Sequence, residues 1–238
     1  YMSCSAKIPI YAVFASAFFP NHKALVMISM YVVGIVLSVL LALILKNTAF
    51  KGNPVPFVME LPNYRLPSPK SVVLLLWDKA KDFLQRAFGI IFIATIIIWF
   101  LRSFDTRLNV VENSADSLLA LIGRFIAPVF APLGFGDWRA ATSLISGFTA
   151  KEAVISTMAV LLETNLSNLG GALSEIFTPL TAVSFLVFTL LYTPCVAAVA
   201  SIRRELGSKL QTLGVVLLQC TVAWICALAV YQVGGLLL

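Results

Sequence analysis

The stretch Gly147-Phe148-Thr149-Ala150-Lys151-Glu152-Ala153-Val154 places two adjacent opposite charges inside an apolar run. The run covers residues 140–162, 23 residues in all. At about 1.5 Å rise per residue that is long enough to cross a bilayer. Lys151 and Glu152 fall half way along it. A charge at that depth costs about 2.5–3.5 kcal/mol on insertion scales, so such residues face a bundle interior or an aqueous path. Gly147, just upstream, weakens the helix. Two readings follow: a broken helix lining an ion or substrate route, or a Lys–Glu pair tying two helices together.

The rest of the chain agrees with a membrane setting. Of 238 residues, 60 % are hydrophobic and 12 % charged, where a soluble domain has about 25 % charged. Runs such as Ile90-Ile91-Phe92-Ile93-Ala94-Thr95-Ile96-Ile97-Ile98-Trp99 do not alternate, so the spans are helices rather than barrel strands. The net charge of +6 gathers in certain loops, as membrane orientation demands, and is no nucleic-acid signal. Cys4, Cys195, Cys220 and Cys226 show no CxxC spacing, so no disulfide framework is expected. The chain opens on Tyr1 with no charged segment ahead of its first apolar run, and reads as part of a larger protein.

Along the chain, residues 1–19 are apolar but interrupted by Pro9 and carry Lys7, the pattern of a discontinuous segment. Residues 25–45 form a transmembrane helix ending at Lys46. A loop rich in proline follows (Pro54, Pro56, Pro62, Pro67, Pro69), extended because proline cannot continue a helix. Leu76, Ala80, Phe83, Leu84 and Ala87 make one helical stripe, expected to lie in the interface before the chain turns into a span over 88–101. Residues 117–133, cut by Pro128 and Pro132, read as a short span or a re-entrant piece, and further spans are expected over 140–162, 180–200 and 212–235. If all cross, ten basic residues fall in loops on one side and two on the other, which places the first set in the cytoplasm and favours a full crossing by 117–133. Tyr1-Met2-Ser3-Cys4-Ser5-Ala6 resembles Tyr192-Thr193-Pro194-Cys195-Val196-Ala197. Each precedes a long apolar helix, which suggests an inverted repeat of the transporter kind.

The chemistry centres on the breaks. Pro194 cannot donate to the Leu190 carbonyl and so frees it. Freed carbonyls at membrane depth line cavities or find other donors. Cys195 beside it, and Cys4, supply soft sulfur suited to Fe(II), Cu(I) or Zn(II); burial as small hydrophobes is the bland alternative. Cys220 and Cys226, on different helix faces, read as packing. His22 is the only histidine, and HExxH, GxSxG and GxxxxGK[ST] are absent, so the chain by itself is not expected to be an enzyme or to bind a nucleotide through a P-loop.

These residues carry a family resemblance. MSCSAKIPIYAVFASAFFP at 2–20, PFVMELPNYRLPSPKSV at 56–72, GFTAKEAVISTM at 147–158 and LYTPCVAAVASIRRELG at 191–207 resemble the first gate segment, linker, Ala-Lys-Glu motif and second gate segment of the ferrous-iron transporter B family, FeoB. The resemblance implies an all-α, polytopic helical membrane protein with discontinuous gate-like segments. It divides the chain into the end of a first gate segment plus a transmembrane helix (1–45), a cytoplasmic linker with an interfacial helix (46–87), and a second gate-like bundle (88–238). It implies passage of Fe(II), as substrate and not as a resident cofactor, across the bacterial cytoplasmic membrane. It implies an upstream GTP-binding domain of the same protein, admits a small cytoplasmic accessory protein and a homo-oligomer, and involves no nucleic acid. By position Cys4 and Cys195 are the gate cysteines and candidate iron ligands. Glu152 is added from its own position as a further ligand or charge partner. Gly147, Lys151 and Pro194 are expected to shape the route, with Lys151-Glu152 as a polar hinge and charge pair. The rival readings are a carrier for an organic solute such as a nucleoside, and a non-transporting membrane anchor of a GTPase.

Overall fold

The computed structural model describes residues 4–48, 67–111, 113–166, 168–193 and 195–237. Among them there is no β-strand, only an isolated bridge between Phe104 and Val110. A 3-10 turn, Ser5–Lys7, leads into α1 (Ile8–Phe18), with Pro9 in its first turn, where its missing N–H costs nothing. α2 (Lys23–Thr48) and the last helix, α10 (Lys209–Leu237, reached below), are apolar all round. Ile28, Val32, Ile35, Val39 and Leu43 stay exposed on α2, as expected of a helix that faces lipid.

α3 (Pro69–Ser103) is capped by the Ser68 hydroxyl, which accepts from the Ser71 N–H. It runs unbroken for 35 residues. The expected turn between an interfacial helix and a span is therefore absent. Both Leu76 and Leu84 of the predicted stripe are exposed, as are Lys79 and Lys81 on the other face. The prolines at 54, 56 and 62 lie outside the described residues.

Residues 117–133 and 140–162 both depart from a straight crossing. Residues 117–133 form α4 (Leu118–Phe130) and a 3-10 turn, Ala131–Leu133, after which α5 (Trp138–Thr149) leaves at 106°. At about 20 Å, α4 is shorter than the ~30 Å hydrocarbon core. A bent pair replaces the straight crossing, and the ten-to-two charge count loses the support it drew from that crossing. Residues 140–162 do not make one helix either. α5 ends at Thr149, Ala150 is extended, and α6 (Ala153–Leu161) begins after a tight turn. A Cβ added at Gly147 would strike Val154. A straight helix holds residues seven apart at about 10 Å, so the chain doubles back at Ala150-Lys151-Glu152.

The short α7 (Leu169–Leu173) follows, and then α8 (Pro179–Leu191), which is the axis of the molecule. Its start is fixed by a capping box between Thr178 and Thr181 with Pro179 at the first position. It is buried almost all round. Phe14, Phe177 and Phe135 pack on Phe185 at 5.1–5.3 Å between ring centres, and Phe130 and Tyr192 pack on Phe188 at 5.2 and 5.3 Å. Ser184 donates to the carbonyls of Leu133 and Ala227, and the Trp224 indole donates to Val129, so α10 clamps α8 and the end of α4. Gly134, at φ +87°, makes the turn beneath the Tyr231 ring, a conformation that favours glycine and leaves no room for a side chain. After α8 the chain breaks at Tyr192, resumes as α9 (Val196–Leu206), stops at Gly207 with φ +64°, and continues into α10. Cys4 and α1–α2, and Cys195 and α9–α10, share one pattern: an extended cysteine, a short helix of 11 residues and a long apolar helix.

Candidate functional site

The site is built from the C-terminal end of α8. A helix leaves its last carbonyls without intrahelical donors. Tyr192 (φ −65°, ψ 165°) and Cys195 (φ −60°, ψ 161°) are both extended, so nothing downstream continues the ladder. Pro194 itself lies outside the described residues. The Leu190 carbonyl, expected from the sequence to be freed, accepts a hydrogen bond from Lys7 Nζ at 2.7 Å. The Thr193 carbonyl accepts one from Lys151 Nζ at 2.8 Å. Both lysines are buried, Lys151 being only 2 % exposed. Its ammonium also sits over the Tyr192 ring, 2.9 Å from the centre, a cation–π contact strengthened by desolvation. The Tyr192 hydroxyl reaches the Leu144 carbonyl at 3.4 Å. The aromatic ladder of α8 thus ends on a phenol ring that carries one of the two charges.

Three breaks supply the groups. The 3-10 turn after Cys4 delivers Lys7, the turn between α5 and α6 delivers Lys151, and the break after α8 delivers the carbonyls and Cys195. The Lys7 backbone N–H donates to the Cys4 carbonyl at 3.1 Å, and Cys195 follows two residues after the Thr193 carbonyl that Lys151 holds. The structure therefore brings the two expected gate cysteines to the same pair of ammoniums. Cys4 is exposed and Cys195 half-buried, and both are free thiols. On the α10 side, the Thr193 hydroxyl donates to the Val216 carbonyl at 3.3 Å and lies 2.8 Å from Cys220 Sγ.

Glu152 is not part of this cluster. It is exposed on the turn, and among the described residues Lys151 has no carboxylate within ion-pair distance. The expected Lys151–Glu152 charge pair does not form, because the turn sends the two side chains to opposite environments. Among the described residues no three His, Cys, Asp or Glu side chains come together as a metal-binding group. Gly147 sits one turn before the break, where its missing side chain admits Val154 and the Tyr192 hydroxyl. Leading up to it, Thr142, Ser143, Ser146 and Thr149 are buried, and each donates back to a carbonyl three or four residues earlier, an arrangement that lets hydroxyls sit in an apolar helix.

Sequence reasoning missed Lys7, Tyr192, Thr193 and Cys220. Lys7 carried a usable signal, since an intramembrane lysine needs a partner and the freed Leu190 carbonyl needed a donor. Cys220 carried none, because its spacing from Cys226 says nothing about what crosses it.

A family model described as ferrous iron transport protein B C terminus matches residues 27–79, and the Gate model, described as nucleoside recognition, matches residues 84–209. The Fe(2+) transporter FeoB of Staphylococcus aureus (strain MSSA476) is 39 % identical over 236 residues, covering 99 % of this chain and 35 % of that protein. The chain belongs to the FeoB family. The Fe(2+) transporter FeoB of Methanocaldococcus jannaschii is 37 % identical over 99 % of this FeoB-family chain and 36 % of its own length. A Porphyromonas gingivalis protein named as an Fe(2+) transport protein A/Fe(2+) transporter FeoB fusion is 34 % identical over 98 % of the chain and 33 % of that protein. The chain spans about a third of the length of these relatives. No solved structure matches.

Proposed function

We propose that this chain is the membrane part of a transporter that carries Fe(II) across the bacterial cytoplasmic membrane, and that the ion passes between Cys4, Cys195 and the broken helix ends around them. The observation that carries the reading is the convergence of three breaks on two buried lysines, with Cys4 one turn before Lys7 and Cys195 two residues after the Thr193 carbonyl. Soft sulfur suits Fe(II) over Mg(II) or Ca(II), and a site that conducts must also release. Two thiols with carbonyls offer such a weak, partial set. Glu152, exposed at the turn and outside that set, is in this reading a separate outer ligand. Gly147 and Pro194 shape the route by allowing the fold-back and the break.

The relatives' names support Fe(II) as the substrate, and the fusion in P. gingivalis supports a small accessory protein as partner. GTP hydrolysis, in this reading, belongs to a part of the protein outside the 238 residues. The test is anaerobic Fe(II) uptake by the full-length protein carrying Cys4→Ser and Cys195→Ser. Loss of metal ligands or their supports costs about 10–100-fold in affinity or activity, so uptake falls by that order. Normal uptake with normal metal selectivity in the double variant contradicts the ligand role.

A second reading has one observation in its favour, the description of the Gate model as nucleoside recognition. It makes the chain an organic-solute carrier. Inhibition of Fe(II) uptake by millimolar nucleosides, or nucleoside uptake itself, would support it.

A further inference from the structure

We propose that Lys7 and Lys151 are tethered cations that hold the break closed, their ammoniums occupying at the Leu190 and Thr193 carbonyls the places that a passing cation needs. The inference rests on the pathway reading above and adds to it a gate and the residues that work it.

The reasoning starts from the carbonyls. The end of α8 points the negative end of its dipole into a buried region, and the break leaves the Leu190 and Thr193 oxygens without backbone donors. Oxygens so placed are the usual inner ligands of a cation in a membrane protein. Here each is taken by a lysine from a different break, at 2.7 and 2.8 Å. Neither lysine has a carboxylate within ion-pair distance among the described residues. Cys4 stands one 3-10 turn before Lys7, Cys195 two residues after Thr193, and Cys220 Sγ 2.8 Å from the Thr193 hydroxyl. Two lysine amino groups are held in one buried place with only carbonyl acceptors, an arrangement costly enough to call for a reason beyond closing a helix end. The Tyr192 ring beneath Lys151 fixes one ammonium further.

The consequence is competition. A divalent ion brought to Cys4 and Cys195 meets two positive charges and is repelled while the lysines stay. It enters only when they swing away, and their departure uncovers the carbonyls it can then use. Both lysines stand beside turns, Lys7 on the 3-10 turn and Lys151 at the fold-back between α5 and α6. Small rotations of those turns withdraw them. Closed and open states therefore exchange one cation for another at the same oxygens, and no uncompensated carbonyl is left in either.

The experiment uses the full-length protein in sealed vesicles without nucleotide, with anaerobic Fe(II) outside and a trapped chelator inside. Lys7→Met with Lys151→Met keeps side-chain length and removes the charge. Loss of a charge-assisted hydrogen bond shifts a two-state population by about ten- to a hundredfold, so passive Fe(II) influx rises by at least that lower factor. Lys7→Arg with Lys151→Arg keeps the charge and stays tight. Influx equal to wild type in a Met variant with an unchanged unfolding temperature overturns the proposal. So does a leak of equal size in the Arg variant, because a merely structural role makes no distinction by charge.

A second measurement needs no variant and covers failure of the Met protein to fold. Reductive methylation of wild type, read by mass spectrometry, finds Lys7 and Lys151 protected at rest and reactive when Fe(II) saturates the protein. Equal protection in both conditions overturns the proposal. If the lysine tests fail while the cysteine variants abolish uptake, the gate is wrong and the pathway stands. If the cysteine variants transport normally, the pathway reading is wrong.

Discussion

At the scale of single residues, the site is governed by what burial does to polar groups. Lys151 was legible as an anomaly because a charge half way along an apolar run has to be accounted for. The freed Leu190 carbonyl was legible because Pro194 has no N–H to give. Their solution was not legible, since the donors come from residues 183 and 42 positions away in the chain. Gly147 gives the sharpest single-residue prediction. A Cβ there meets Val154 and the Tyr192 hydroxyl. Overpacking costs about 1–3 kcal/mol, against about 1 kcal/mol of helix propensity gained on replacing glycine by alanine. Gly147→Ala therefore lowers the unfolding temperature in detergent. Gly214→Ala, with open space around it, does not, and an equal fall in both contradicts the fold-back.

At the scale of elements, α8 carries the fold. Its aromatic ladder ties α1 and the turn before α5 to one axis and ends on Tyr192 under Lys151, while the Ser184 hydroxyl ties α10 to it. Removing a buried phenylalanine costs about 3–5 kcal/mol. Phe185→Ala, which empties the junction with Phe14, Phe135 and Phe177, lowers stability by that order in thermal or denaturant unfolding. It also loosens the site at the other end of the helix. A change below about 1 kcal/mol would place the packing axis elsewhere. Long helices with apolar residues on every side, α2 and α10, were legible from the sequence because nothing but lipid suits them. The hairpin of α5 and α6 was not. A continuous apolar run reads as a span whether it crosses or folds back, and the tight turn at Ala150 uses no proline or glycine of its own. α4 stayed open between a span and a re-entrant piece for the same reason. Its apolar length with the following turn nearly matches a crossing, and the 106° bend comes at Gly134 and Gly136, outside the hydrophobic pattern.

At the scale of the whole molecule, two short cysteine-led helices, α1 and α9, each feed a long outer helix, α2 and α10, while α8 stands between them. The six-residue similarity of the two cysteine segments is matched by the order of the elements that follow each, a helix of 11 residues and a long apolar helix. Much apolar surface remains exposed on α2, α3 and α10, as a bilayer requires. The central claim is that the cysteines at the converging breaks touch the iron. It is tested most directly by X-ray absorption at the iron edge of the full-length protein loaded anaerobically with Fe(II). The account predicts sulfur scatterers that vanish in the Cys4→Ser, Cys195→Ser double variant. An all-oxygen or nitrogen shell in wild type, with loss of binding on Glu152→Gln instead, would contradict it.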